Sequence, residues 1–250
     1  MTRFLASVRD SEEAREALAG GADIIDFKEP ANGALGALMP EAIARGLTAL
    51  DGRAMTSATA GDWPLEPRAL AAAARTVGAT GVDYVKLGLA PGAALGACID
   101  ALQALAREYR LVAVFFADRG VPLAALPRLR AAGFAGVMVD TLDKGAGGLR
   151  RHLGERALAD FVRAARRADL MTGLAGSLAV ADIAPLARIG PDLLGFRGAL
   201  CATGGRIGAL RRERVCEVRA TLDRALRERP EGAALFCRSE LEREYFVRSR

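Results

Sequence analysis

Of the 35 basic residues in this 250-residue chain only three are lysines, Lys28, Lys86 and Lys144; the other 32 are arginines. Wherever a solvent-exposed cation is all that is required, either residue serves, so a chain with this bias is expected to keep lysine where arginine fails. Arginine does not give up its proton. A lysine amine shifts its pKa readily and, once neutral, attacks a carbonyl to form a Schiff base. The three lysines are therefore the first candidates for chemistry, and chance retention on the surface is the competing reading. Position has to decide between them.

Short β-type runs followed by alanine-rich helical stretches recur along the chain: 4–8, 23–28, 54–59, 83–87, 111–117, 136–140, 171–175 and 192–197. Amphipathic segments lie between them. One such helix covers 11–19, with Ser11 expected as its N-cap and Glu12 and Glu13 near its positive end. Gly20-Gly21, Gly78 and Gly133 fall where left-handed C-caps are expected. Eight strand–helix units in this length predict an α/β protein with the (β/α)8 TIM-barrel architecture. A doubly wound open sheet is the alternative, but it would place a GxGxxG phosphate loop after an early strand, whereas Gly20-Gly21 precedes one. The closing helix is expected over about 207–229. The reading is a catalytic domain over 1–229 and a C-terminal extension over 230–250, for capping or oligomer contact.

In such a barrel the active site lies at the C-terminal ends of the strands. Lys28 ends the second expected strand, Lys86 the fourth, and Lys144 follows the sixth. Residues two apart on a strand share a face, so Asp26 and Lys28 point inward together, as do Tyr84 and Lys86. Asp118 and Asp140 close the fifth and sixth strands. Structural salt bridges could explain such Asp and Lys pairs, but their clustering at one mouth favours chemistry. Crowded, partly buried lysines supply a neutral amine near pH 7, and a second lysine or a carboxylate can then move protons through enamine forms. The loops after the last two strands commonly bind phosphate through backbone N–H groups. Here they carry Gly176 and Ser177, then Arg197, Gly198 and Ala199, with Gly204-Gly205-Arg206 behind; Ser57 and Thr59 are lesser candidates.

Other classes find little support. The net charge of +5 and pI near 9.4 suit an anionic small substrate; with 5% aromatic residues and no recognition motif, nucleic-acid binding is not expected. Four dispersed cysteines and the single histidine, His152, suggest neither a disulfide framework, a metal site nor a serine triad. No run of about 18 apolar residues or signal-type start is found, so no membrane partner and a cytoplasmic location are expected.

The segments Gly21-Ala22-Asp23-Ile24-Ile25-Asp26-Phe27-Lys28-Glu29-Pro30, Asp83-Tyr84-Val85-Lys86-Leu87-Gly88, Asp140-Thr141 with Lys144, Ala175-Gly176-Ser177 and Gly195-Phe196-Arg197-Gly198-Ala199 resemble the (5-formylfuran-3-yl)methyl phosphate synthases. That resemblance implies a TIM-barrel lyase condensing two molecules of glyceraldehyde 3-phosphate into the furan phosphate of methanofuran-type C1 carriers, without metal or organic cofactor. It further implies Lys28 as the Schiff-base lysine and Lys86 as proton acceptor, with Asp26, Asp140 and Lys144 assisting. Thr203-Gly204-Gly205-Arg206 departs from the pattern, which would place an acidic residue near the glycine pair. The rival readings are a class I aldolase for another sugar phosphate and a non-catalytic phosphate-binding barrel. Association into a homo-oligomer is expected only by analogy with other barrels.

Overall fold

A computed structural model describes residues 1–143, 145–202 and 205–228. Eight parallel strands, β1 (Arg3–Val8), β2 (Ile24–Phe27), β3 (Met55–Thr59), β4 (Tyr84–Gly88), β5 (Leu111–Phe116), β6 (Gly136–Asp140), β7 (Met171–Leu174) and β8 (Leu193–Phe196), close in sequence order, with β8 pairing back onto β1. The expected strands agree with these to within one or two residues at each end. Helices cover the outside, beginning with α1 (Ser11–Ala19) and α2 (Pro40–Leu50) and ending, in the described chain, with Arg212–Arg227. Lys144, Thr203, Gly204 and the extension at 230–250 lie outside the described residues. No helix among those described is long and apolar enough to cross a membrane.

Period-two alternation separates two cores. Phe4, Ile25, Phe27, Val85, Phe115, Val139 and Phe196 face the helices. Leu5, Ile24, Met55, Tyr84, Val112, Val114, Met138, Met171 and Leu193 fill the barrel interior. Going up the same inward rows, the side chains turn polar. Ser7, Asp26, Lys28, Ser57, Thr59, Lys86, Asp140 and Arg197 are all buried. Burying that many polar groups is tolerable only if they bond one another or a ligand, and this layer is where the site is found.

A recurring device feeds the even strands. Gly21, Gly81 and Gly190 each take positive φ, and each stands two residues before an aspartate, Asp23, Asp83 or Asp192. Those carboxylates accept the backbone N–H of Phe4, Thr56 and Thr172 in the preceding odd strand, at 2.6, 2.8 and 2.7 Å. The glycine allows the left-handed turn out of the helix, and the aspartate locks the register of the next strand. At β6 the same positions read Gly133-Phe134-Ala135, with Gly133 again at positive φ but no carboxylate.

Two local expectations are corrected. The N-cap of α1 is Asp10, whose carboxylate accepts from the backbone N–H of Glu12 and Glu13, because Ser11 has already entered the helix. Gly78 is also helical; the chain turns three residues later, at Gly81.

Candidate active site

The polar layer is organised about Asp26. Its carboxylate is wholly buried at the centre of β2, and Oδ1 accepts from Lys86 Nζ at 2.7 Å and from Ser57 Oγ at 2.6 Å. Oδ2 accepts from Ser7 Oγ at 2.8 Å. Four adjacent strands thus contribute to one network, and their ladder sets it: Ser7 pairs with Asp26 and Asp26 with Ser57. Lys28, just past the end of β2, lies 3.8 Å from Asp140 Oδ2 at the end of β6. Asp140 also accepts through Oδ1 from the backbone N–H of Thr141 at 2.7 Å.

Lys28, Lys86 and Asp140 open into one cavity of about 600 Å³ at the C-terminal mouth. Its far wall is built from 175–180 and 195–199, so Gly176, Ser177, Gly198 and Ala199 all line it. Gly176 and Ser177 both have positive φ. A side chain at Gly176 would lie 2.9 Å from the backbone nitrogen of Thr141, so the close approach of the loops requires glycine there. Ser177 tolerates its left-handed backbone at a cost of order 1 kcal/mol, a strain that recurs at ligand-binding turns.

Several other candidates have different duties. Arg197 lines the cavity, but its five N–H donors are committed: Nε to Arg206 O, Nη1 to Ser7 O and Glu13, and Nη2 to Glu13 and Gly208 O. It fastens the end of β8 to α1 and to the chain around 205–210. Asp118 accepts from the backbone N–H of Leu142 and Asp143, both at 2.8 Å, and so braces the loop after β6. Thr59 donates to Gly36 O at 2.8 Å, while Ser57 belongs to the Asp26 network. The residues missed from sequence are Ser7 and Glu13. Inward periodicity on β1 pointed to Ser7; nothing local marked Glu13, because besides Arg9 its partners, Arg197 and Leu210, lie almost 200 residues away.

Glu13 gives a pH prediction. Burial alone would raise its pKa, but the hydrogen bond and charge of Arg197 and the N–H groups of Arg9 and Leu210 outweigh that and hold it below the usual glutamate value. A carboxyl with a lowered folded pKa stabilises the protein fully above its unfolded pKa, about 4.3, and loses that contribution as pH falls through the folded value. Glu13→Gln is therefore expected to lower stability near neutrality and to flatten the acid limb of a urea-midpoint against pH curve. A variant curve parallel to the wild type would refute this.

A closed eight-stranded parallel barrel with lysines and carboxylates buried at its C-terminal mouth defines a (β/α)8 enzyme. Solved structures agree on the fold. A thiamine phosphate pyrophosphorylase from Pyrococcus furiosus superposes with a TM-score of 0.62 at 15% identity, over 90% of this chain and 96% of that one. A phosphoribosyl anthranilate isomerase from Thermus thermophilus gives 0.62 at 17% identity, over 89% and 99%. The chain belongs to the 4-HFC-P synthase family, whose model matches residues 4–219. It is similar to proteins named (5-formylfuran-3-yl)methyl phosphate synthase from Methanococcus aeolicus (35% identity; 86% of this chain, 97% of the relative) and Methanothermobacter thermautotrophicus (36%; 88% and 98%). A Methylorubrum extorquens relative bearing that name provisionally is 45% identical over 86% of this chain and 89% of its own.

Proposed function

We propose that this protein joins two molecules of glyceraldehyde 3-phosphate into (5-formylfuran-3-yl)methyl phosphate, with loss of one phosphate and water, for a methanofuran-type carrier. The observation that carries the reading is a cavity with two buried lysine–carboxylate pairs on one side and two glycine-containing loops on the other.

In this reading the Lys28 amine adds to a triose phosphate carbonyl, and the oxygen leaves as water. The iminium draws electrons from the neighbouring carbon and makes its proton acidic. Lys86, in contact with Asp26 at 2.7 Å, accepts the proton from that carbon as a neutral amine and, once protonated, returns it to a departing oxygen. Ser7 and Ser57 keep the Asp26 carboxylate from turning away. Asp140, and Lys144 in the adjoining segment, assist proton transfer and substrate placement. The Gly176, Ser177, Gly198 and Ala199 amides receive phosphate. Every step uses groups of the chain and the substrate, with no cofactor.

Incubation with glyceraldehyde 3-phosphate alone tests the reaction. A furan product absorbing in the ultraviolet, with release of inorganic phosphate, is expected. Simple aldol products without phosphate release would instead indicate a class I aldolase, and no conversion would indicate a phosphate-binding barrel.

A further inference from the structure

The two arginines that follow β8 are not equivalent. Arg197 has no N–H left for a ligand. Arg206 gives Nη2 to the carbonyl oxygens of Pro30 and Gly33, in the loop after β2, while its Nε and Nη1 have no acceptor among the described residues. Its side chain lines the same cavity as Lys28, Lys86 and Asp140.

Both ends of Arg206 are fixed before any ligand arrives. Its carbonyl accepts from Arg197 Nε at 2.7 Å, and its guanidinium is tied across the mouth to the chain that follows Lys28. Arg197 is itself held by Glu13, which also accepts from Leu210 N–H at 3.1 Å. A side chain so restrained loses little further freedom on binding, and that preorganisation strengthens it as a ligand anchor. Burial, with the charge of Arg197 added, holds its pKa below the usual guanidinium value despite the nearby Asp140 and Asp62 carboxylates, but a guanidinium starts so far above neutrality that it keeps its proton. The cavity-lining residues Gly176, Ser177, Gly198 and Ala199 supply amide dipoles but no side-chain charge. A phosphate with two negative charges is poorly neutralised by amides alone, and a guanidinium whose Nη2 is already tied down still adds its positive charge and a charge-assisted hydrogen bond from Nη1 or Nε.

We propose that Arg206 is the cationic anchor of a substrate phosphate in this cavity, and that Arg197 is a positioning residue that aims it. The proposal rests on the reading of the substrate as a triose phosphate. It also assigns a consequence to the tie with Pro30 and Gly33, since the phosphate seat and the chain just beyond Lys28 then move as one unit.

Three measurements on Arg206→Ala and Arg206→Lys test it: steady-state kinetics with glyceraldehyde 3-phosphate, calorimetric binding of inorganic phosphate, and borohydride trapping of unphosphorylated glyceraldehyde on Lys28. For Arg206→Ala, KM and the phosphate Kd are expected to rise on the order of 10- to 100-fold, the loss of charge-assisted hydrogen bonds. Arg206→Lys should lie between it and the wild type, and glyceraldehyde trapping should be unchanged in both. Unaltered phosphate affinity in a folded Arg206→Ala protein would overturn the proposal. So would an equal loss of glyceraldehyde trapping, which would mean that Arg206 acts only by holding the loop after β2. If Arg206→Ala fails to fold, Arg206→Lys decides: unaltered phosphate affinity in it overturns the proposal, and weaker binding with intact trapping supports it. A wild-type enzyme that makes no furan yet loses phosphate binding with Arg206→Ala would retain the anchor and discard the reaction.

Discussion

Lys28→Arg is expected to abolish furan formation, with a fall in turnover on the order of 10⁴-fold or more. The substitution keeps a positive charge near Asp140 and keeps a long side chain at the end of β2, so the barrel should fold and the ion pair has a replacement. What it removes is the amine. A guanidinium cannot become a nucleophile at ordinary pH, and without the imine the adjacent carbon has no electron sink. The magnitude follows from that: when one covalent step is lost, the remaining groups have no intermediate on which to act, and removal of a member that works as part of a unit costs nearly the whole catalytic effect. Phosphate binding should persist. A Lys28→Arg enzyme within tenfold of the wild type would remove Lys28 from the chemistry, whatever the product.

The second large effect is on stability. Asp26 is completely buried and accepts hydrogen bonds from Lys86, Ser7 and Ser57 at once. Replacing it with alanine strands the Lys86 cation in the barrel and leaves two buried hydroxyls without their acceptor. Breaking a buried pair by removing one partner costs about 3–5 kcal/mol. In a protein of this size each kcal/mol lowers Tm by roughly 2–4 °C, so Asp26→Ala should melt more than 6 °C below the wild type. The double variant Asp26→Leu with Lys86→Met removes both charges and should recover the part of the loss owed to the stranded cation, because replacing a buried pair with apolar groups of similar volume is close to neutral, while the Ser7 and Ser57 hydroxyls still lack their acceptor. It should recover no activity. Urea denaturation of the single and double variants checks both parts. A loss under about 1 kcal/mol for Asp26→Ala would mean that the pair is hydrated and costs little to break.

The barrel was legible because its signals are local and repeated. Strand after strand alternates between an outer row such as Phe4, Phe27 and Phe196 and an inner row that turns polar toward its C-terminal end. The spacing from Gly21 to Asp23, Gly81 to Asp83 and Gly190 to Asp192 repeats before β2, β4 and β8 and can be seen in the letters once the register bonds explain it. Period-two reasoning likewise put Asp26, Lys28 and Lys86 on the inner face, where the structure has them. It could not choose their partners. That Lys86 meets Asp26 while Lys28 meets Asp140 depends on strand stagger and on which strands adjoin.

Arg197 and Arg206 show the other limit. From sequence, the arginine at the strand end looked like the phosphate ligand, and the one behind the glycines was named only as part of the same loop. A buried glutamate on α1, 184 residues earlier, takes up Arg197, and no local pattern announces such a pairing. The N-cap of α1 shifted from Ser11 to Asp10 for a smaller reason, since either side chain can cap and only backbone geometry selects.

Covalent trapping tests the central claim most directly. The wild-type protein is incubated with glyceraldehyde 3-phosphate, reduced with borohydride and analysed by intact mass and peptide mapping. A single secondary-amine adduct on the peptide containing Lys28, absent from Lys28→Arg, is the predicted result. An adduct mapped to Lys86, or no adduct while furan phosphate still forms, would contradict it.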